Sequence, residues 1–204
     1  PMTKAAQNFV NSLSEAQRNQ AVLPANSPDR TTWTYVPGKR KGVSWSELTD
    51  TQKNAARELL QASLSTEGCQ KIEAIRGLEP ILAEMENGNK DRDPNRYWFV
   101  FFGAPNQDSP WLWRYEGHHV SLTFASIGNL VVSSTPQFLG SNPAEHKGIR
   151  VLAKEQDLGF QLVESLSTEQ RTKAILSEVA PNDIVTGASR KAAIEGHLGI
   201  PYNN

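Results

Sequence analysis

A block of strand-forming sequence with helix-forming sequence on both sides most constrains how this chain folds. Residues 97–103 read Tyr-Trp-Phe-Val-Phe-Phe-Gly, an aromatic and β-branched run typical of a strand. Residues 111–127 alternate in polarity and predict one long strand, and Gly128-Asn129 predicts a two-residue turn into a third strand over residues 130–135. The sequence therefore predicts an α+β fold, in which an antiparallel meander over about residues 97–135 packs with several helices from either side in sequence.

The helical segments share a start signal that occurs three times. In each, a leucine precedes a serine or threonine, and a glutamine follows three positions later. The serine or threonine serves as N-cap, the glutamine closes a capping box, and the leucine packs as a hydrophobic staple. The pairs are Ser14 with Gln17, Thr49 with Gln52, and Ser167 with Gln170. Together with apolar periodicity, they predict helices over residues 3–13, 14–23, 49–64, 66–87 and 152–177, the last one broken near residues 165–167.

The segment between the second and third predicted helices contains one more element. Residues 32–36 predict a short strand, which ends at the turn Pro37-Gly38. The basic residues that follow are interpreted as a solvated turn, because three charges in a loop are usually exposed. They are Lys39, Arg40 and Lys41.

Composition restricts the class of protein. The chain of 204 residues is 38% hydrophobic and 21% charged, so residues 1–204 are predicted to form a single domain with one buried core. The net charge of -1 leaves no basic excess for a phosphate backbone, and we expect no nucleic-acid partner. The sequence contains no apolar run of membrane-spanning length. A soluble protein is expected, with the cytoplasm and export after leader removal both left open and no oligomeric state indicated.

The densest group of ionisable side chains lies in residues 111–122, which read Trp-Leu-Trp-Arg-Tyr-Glu-Gly-His-His-Val-Ser-Leu. Alternation along one strand predicts that this group divides between two faces. One face would carry Arg114, Glu116 and His118 with Val120, Leu122 and Phe124, and the other would carry Trp113, Tyr115 and His119 with Ser121 and Thr123. Only one of the two histidines then joins Glu116, unless Gly117 kinks the strand.

Three interpretations of this group are open. In the first, Glu116, His118 and His119 contribute to a metal site, which needs a further ligand because one strand supplies too few. In the second, Glu116 orients His118 for acid–base chemistry, and Arg114 holds an anionic group of the substrate. In the third, Glu116 and Arg114 pair with each other and have a structural role only.

A binding module without catalysis is the alternative function class. Trp113 and Tyr115 would line an aromatic pocket for a small molecule or a peptide. Glu145 and His146 lie in a polar loop after the hairpin, and they join the expected ligand-binding residues if that loop approaches the strand. The remaining histidine, His197, is also expected in a loop.

Four segments of the chain resemble one protein family. They are residues 9–21, residues 33–42, residues 111–122 with the string Trp113-Arg114-Tyr115-Glu116-Gly117-His118-His119, and residues 135–145, which read Thr-Pro-Gln-Phe-Leu-Gly-Ser-Asn-Pro-Ala-Glu. On these segments the chain is similar to the uncharacterised bacterial family numbered 3500 among the domains of unknown function. The string that ends in the two histidines is the most specific part of the resemblance.

The resemblance implies no reaction, but it bears on the metal. Similar members continue past the end of this chain into a segment with an asparagine-histidine-x-histidine string, and some carry export leaders. It therefore implies that residues 1–204 are the amino-terminal part of a longer chain, in which histidines from two distant segments hold a divalent metal. Because Cys69 is the only cysteine, zinc, copper or iron is expected rather than an iron–sulfur cluster. A metal held by Glu116, His118 and His119, with Arg114 as supporting partner, is the leading expectation.

Overall fold

The computed structural model describes residues 1–194, 196 and 199–201, so His197 lies outside the described residues. The contacts within the chain divide it into two compact units, residues 1–151 and residues 152–204. The assignment of residues 1–204 to a single domain, within a longer chain, stays a prediction.

The first unit contains a mixed sheet, which confirms the predicted α+β class. Within the described residues, seven strands form it in the order β1-β3-β4-β5-β6, with β2 also paired to β3 and β7 to β5. The β1–β3 pair is parallel and the other pairs are antiparallel, so the predicted meander is the succession β3 to β6. The bounds are β1 Val22–Leu23, β2 Val43–Ser44, β3 Tyr97–Phe102, β4 Pro110–Gly117, β5 Val120–Ile127, β6 Leu130–Ser133 and β7 Gln137–Leu139.

Three helices, one of them in the second unit, begin where the capping sequences predict. In the first unit the helices are α1 Met2–Ser12, α2 Glu15–Ala21, α3 Asp50–Ser63, α4 Thr66–Arg76 and α5 Glu79–Met85; in the second they are α6 Ala153–Ser165 and α7 Thr168–Ala174. Complete capping boxes join Ser14 with Gln17, Thr49 with Gln52, and Ser167 with Gln170. The predicted break near residues 165–167 is therefore confirmed, because Ser167 caps a separate helix.

Two predicted elements are wrong: one predicted helix is divided in two, and one predicted strand does not form. The single helix over residues 66–87 is two helices, because Pro80 has no amide hydrogen to donate and is favoured in the first turn of a helix. Residues 32–36 form no strand. They belong instead to a long connection, residues 24–42, which runs from β1 to β2 and is called the strap below.

The long strand predicted over residues 111–127 is a hairpin. Gly117 pairs with Val120, so His118 and His119 form the two-residue turn between β4 and β5. Such a turn pairs odd-numbered with even-numbered residues, and directly paired residues point to the same face. The predicted sharing of faces across the turn is therefore wrong: Thr123 lies with Arg114, Ser121 lies with Glu116, and Leu122 and Phe124 lie with Tyr115 and Trp113.

One face of the sheet packs against helices and forms the core. Phe9 of α1 lies with its ring centroid 5.0 Å from that of Phe99, and Trp113 stacks on Phe124 at 4.9 Å. Gly117 is required at this face, because a Cβ atom there would lie 2.3 Å from the Tyr97 ring. The sheet can therefore bring the hairpin turn directly beside the aromatic core.

The second unit contains α6, α7 and the loops around them. Neither helix has a buried residue among those that the structure describes. Apolar side chains of α6, including those of Leu158, Phe160 and Leu162, are exposed. Throughout the described part of the chain, no helix combines the length and the apolar character that a bilayer crossing requires.

Candidate functional site

Glu116 lies on the sheet face opposite the helical core, and its carboxylate is fully engaged by the protein. Oε1 accepts hydrogen bonds from the Thr34 amide at 2.9 Å and from Ser121 Oγ at 2.8 Å. Oε2 lies 3.2 Å from Arg40 Nε, and Arg114 Nε lies 4.0 Å from Oε1. The Glu116 side chain is only 7% exposed, so these partners replace the water that a buried carboxylate loses.

Arg114 fastens the strap to the sheet. Its guanidinium donates to the carbonyl oxygens of Asp29, Arg30 and Thr32, and its Nε donates to Thr123 Oγ1 at 3.1 Å. Burial lowers the pKa of Arg114, and the neighbouring Glu116 carboxylate opposes that shift. The donors of Arg114 are thus directed at backbone carbonyls, which supports the structural interpretation for the Arg114 and Glu116 pair.

Arg40 is a residue that sequence reasoning missed. It was expected in a solvated turn, but its side chain is 6% exposed and faces Glu116. Burial lowers its pKa, whereas the Glu116 charge raises it. The sequence feature that indicates a buried basic segment is the glycine at position 42. Its φ is +103°, and a Cβ atom there would lie 2.2 Å from the Phe99 carbonyl oxygen. A glycine at such a close approach shows that the basic segment runs against β3 rather than out into solvent.

His118 is held by Glu79, not by Glu116. The imidazole Nδ1 lies 2.5 Å from Glu79 Oε1, and Nε2 lies 3.4 Å from a terminal nitrogen of Arg92. A guanidinium only donates hydrogen bonds, so Nε2 accepts and Nδ1 carries the proton that is donated to Glu79. Both side chains are buried, and the Tyr97 hydroxyl donates to the His118 carbonyl oxygen at 2.7 Å.

His119 completes the turn on the other side of His118. Its φ is 57°, in the left-handed region, and its ring centroid lies 4.0 Å from that of His118. The His119 amide donates to the Tyr35 carbonyl oxygen at 2.9 Å, and its own carbonyl accepts from the Gly140 amide at 2.8 Å. The turn therefore joins the strap to the segment that follows β7.

The structure brings two of the three predicted metal ligands together, since the ring centroids of His118 and His119 lie 4.0 Å apart, and it engages Glu116 with other partners. Glu116 is surrounded by Thr34, Ser121 and two guanidinium groups, whereas His118 faces Glu79 and lies beside the positive charge of Arg92. Among the described residues, no group of three or more histidine, cysteine, aspartate and glutamate side chains is placed to hold a metal ion. The expected zinc, copper or iron stays a prediction without a ligand group in this part of the chain.

The other predicted ligand-binding residues lie apart from Glu116. Trp113 and Tyr115 are 0% exposed and belong to the face that packs against helices. Glu145 is exposed, and the backbone of His146 pairs with that of Ile149. Within the described residues, neither Glu145 nor His146 makes a hydrogen bond or an ion pair with Glu116 or His118. Of the predicted ligand-binding residues, Arg114 is the one that the structure places beside Glu116.

A cavity of about 150 Å³ lies between the strap and the sheet, beside Glu116 and Arg114. It is called the strap cleft here. Its walls include two apolar side chains, two threonines and six charged side chains. The lining residues are Asp29, Thr32, Thr34, Lys39, Arg40, Lys41, Val100, Phe102, Arg114 and Glu116.

Comparison with known proteins gives one family and no characterised relative. A family model described as "Protein of unknown function (DUF3500)" matches residues 1–204. Neither a curated protein nor a solved structure matches the chain.

Proposed function

The chain belongs to this family of proteins of unknown function over residues 1–204, and we propose that it binds a small anionic molecule in the strap cleft. The family description names no ligand. The observation that supports the proposal is a surplus of positive charge around a small, partly apolar cavity. Four cationic side chains line the cleft, against the carboxylates of Asp29 and Glu116.

The surplus belongs to Lys39 and Lys41. Arg40 and Arg114 are engaged with Glu116 and with backbone carbonyls of the strap. Lys39 and Lys41, in contrast, make no hydrogen bond and no ion pair with any residue that the structure describes. Two ammonium groups are therefore available for an anion at a site where the other cations already have partners.

The size and the walls of the cleft suit a small organic anion. A cavity of about 150 Å³ is the size that holds a benzene-sized molecule in a protein interior. Val100 and Phe102 supply an apolar wall, and ligand pockets generally combine such walls with a few polar groups. The wall also excludes water on one side, which strengthens the attraction between an anion and the lysines.

Titration calorimetry at low ionic strength tests the proposal, with inorganic phosphate, sulfate, acetate and butyrate as probes. At least one probe should bind saturably, and added salt should weaken its binding, because exposed lysines are screened. The double variant Lys39→Gln with Lys41→Gln should lower the affinity by at least about tenfold, since it removes both available cations.

A matched variant controls for net charge. Lys4 and Lys90 are exposed lysines outside the cleft lining, and the double variant Lys4→Gln with Lys90→Gln removes the same charge. It should leave the affinity nearly unchanged. Equal losses in the two double variants, or no saturable binding of any probe to the wild type, would overturn the proposal.

A further inference from the structure

We infer that the ligand of the strap cleft is an amino carboxylate, whose carboxylate group is bound by Lys39 and Lys41 and whose ammonium group is bound by Asp29. This inference rests on the proposed function, because it concerns the same cleft. The inference specifies the chemical class of the ligand, which must carry a cationic group as well as an anionic one.

The two carboxylates that line the cleft differ in how fully the protein engages them. Both oxygens of Glu116 are engaged by protein groups. The Asp29 carboxylate receives one long hydrogen bond, from Ser27 Oγ to Oδ2 at 3.5 Å, and Oδ1 accepts none from the described residues. Asp29 is half-buried, so it has lost part of its water without gaining the protein partners that Glu116 has.

Asp29 lies among the positively charged residues of the cleft. Its backbone carbonyl accepts from Arg114, and its residue lines the same cavity as Lys39 and Lys41. The cleft therefore presents two cations without partners in the described part of the chain, and one carboxylate that has a single long hydrogen bond and lies near the Arg114 charge. A ligand with only negative groups would satisfy the lysines but would be repelled by Asp29.

The remaining walls of the cleft suit the part of the ligand between its charged groups. Val100 and Phe102 line the cleft without any polar side-chain atom and are themselves 4% and 1% exposed, so they offer a short methylene chain a small apolar contact. The hydroxyl groups of Thr32 and Thr34 make no hydrogen bond with a described residue, and both residues line the same cavity. An amino carboxylate with a few methylene groups matches these surfaces, whereas an inorganic anion leaves the apolar wall and Asp29 unused.

Pairs of probes that differ only by an amino group test the inference by calorimetry. The pairs are acetate with glycine, propionate with β-alanine, and butyrate with γ-aminobutyrate. In the wild type, at least one amino carboxylate should bind about tenfold tighter than its partner, which is the effect of one hydrogen bond between charged groups. In Asp29→Asn this preference should disappear while binding of the plain carboxylate is retained, because the asparagine keeps the shape but not the charge.

The variant Ser27→Ala serves as a control, because it removes the neighbour of Asp29 and keeps the carboxylate; the preference for amino carboxylates should persist in it. If plain carboxylates bind but the amino group brings no gain in the wild type, the inference fails while the proposed anion binding stands. The inference also fails if Asp29→Asn keeps the preference. If Asp29→Asn does not fold, the wild-type pairs decide the matter alone.

Discussion

At the scale of single residues, two buried carboxylates, those of Glu116 and Glu79, hold different parts of the hairpin formed by β4 and β5. Glu116 on β4 is surrounded by two guanidinium groups, a hydroxyl and a backbone amide, which bind the strap to the sheet. The carboxylate of Glu79, at the start of α5, is hydrogen-bonded to the imidazole of His118. The two residues therefore hold different segments against the turn, and they should respond differently to substitution.

Replacing Glu79 by alanine should destabilise the protein by about 1–3 kcal/mol, because it leaves the buried imidazole of His118 without its hydrogen-bond acceptor. Denaturant unfolding measures this difference. Glu84→Ala removes an exposed carboxylate from the same helix and should change stability by less than about 0.5 kcal/mol. Similar losses in the two variants would mean that the contact between Glu79 and His118 adds no stability.

Stability should fall as the pH rises above about 10, the ordinary pKa of tyrosine. Burial raises the pKa values of Tyr97 and Tyr115, so the folded protein keeps phenolic protons that the unfolded chain releases. The stabilisation is fully present below pH 10 and is lost above it by up to about 1.4 kcal/mol per pH unit for each group. Urea unfolding between pH 8 and about 11 measures the slope.

Tyr97→Phe provides the control for this pH dependence. The variant should lose about 1 kcal/mol at neutral pH, because the hydrogen bond to the His118 carbonyl is gone. Its stability should then fall less steeply in alkali than that of the wild type. An unchanged slope would show that Tyr97 does not resist ionisation in the folded state.

The residues of the site could be predicted from the sequence only in part. The string around Glu116 correctly marks a place rich in buried polar contacts. The partners of these residues could not be predicted from the string itself, because Glu79 lies 39 positions from His118. A carboxylate in the first turn of a helix, such as Glu79, is usually explained by its favourable interaction with the helix dipole. The short spacing of Glu116 and His118 suggested a pair, but the turn sends them to different partners.

At the scale of elements, the hairpin of β4 and β5 depends on Gly117. A Cβ atom at this position would lie 2.3 Å from Tyr97 Cδ1, a distance that side chains do not tolerate. Gly117→Ala should therefore destabilise the protein by about 1–3 kcal/mol through overpacking of the aromatic face. Thermal unfolding followed by circular dichroism measures the change.

Gly68→Ala is the matched control for this prediction. Gly68 lies within α4, where a Cβ atom would make ordinary contacts with Leu64 and Ser65 at 3.4 Å or more. The alanine should stabilise the helix by about 0.5–1 kcal/mol. A stabilising effect of Gly117→Ala would contradict the packing of Tyr97 over the turn.

Elements were predicted well where the signal is local. Each capping box depends on residues three positions apart, so Ser14, Thr49 and Ser167 identify their helices without knowledge of the fold. The turn at Gly128 was also found, since glycine and asparagine favour positive φ. The turn at His118 was missed because His119 adopts a φ of 57° that histidine adopts only occasionally, and the sequence alternates on both sides of it.

At the scale of the whole molecule, the two units differ in how much of their surface is buried. The first unit has a core of aromatic side chains on the sheet, whereas α6 and α7 have no buried residue among those described. Hydrogen exchange measured by mass spectrometry should therefore be slow in β3, β4 and β5 and faster in α6 and α7, because exposed helices open at little cost. Equal protection would show that the apolar side chains of α6 are covered in solution.

The hydrogen bonds from Arg114 to the strap cannot form until late in the synthesis of the chain. The backbone partners of Arg114 precede it by 82 to 85 residues, so they leave the ribosome well before it does. At typical rates of translation this interval lasts roughly 4 to 17 seconds. During this interval the strap cannot bind the Arg114 guanidinium or the Glu116 carboxylate, because neither residue has been synthesised. The nascent segment must therefore stay soluble by itself, and the cleft closes only after β4 has been synthesised.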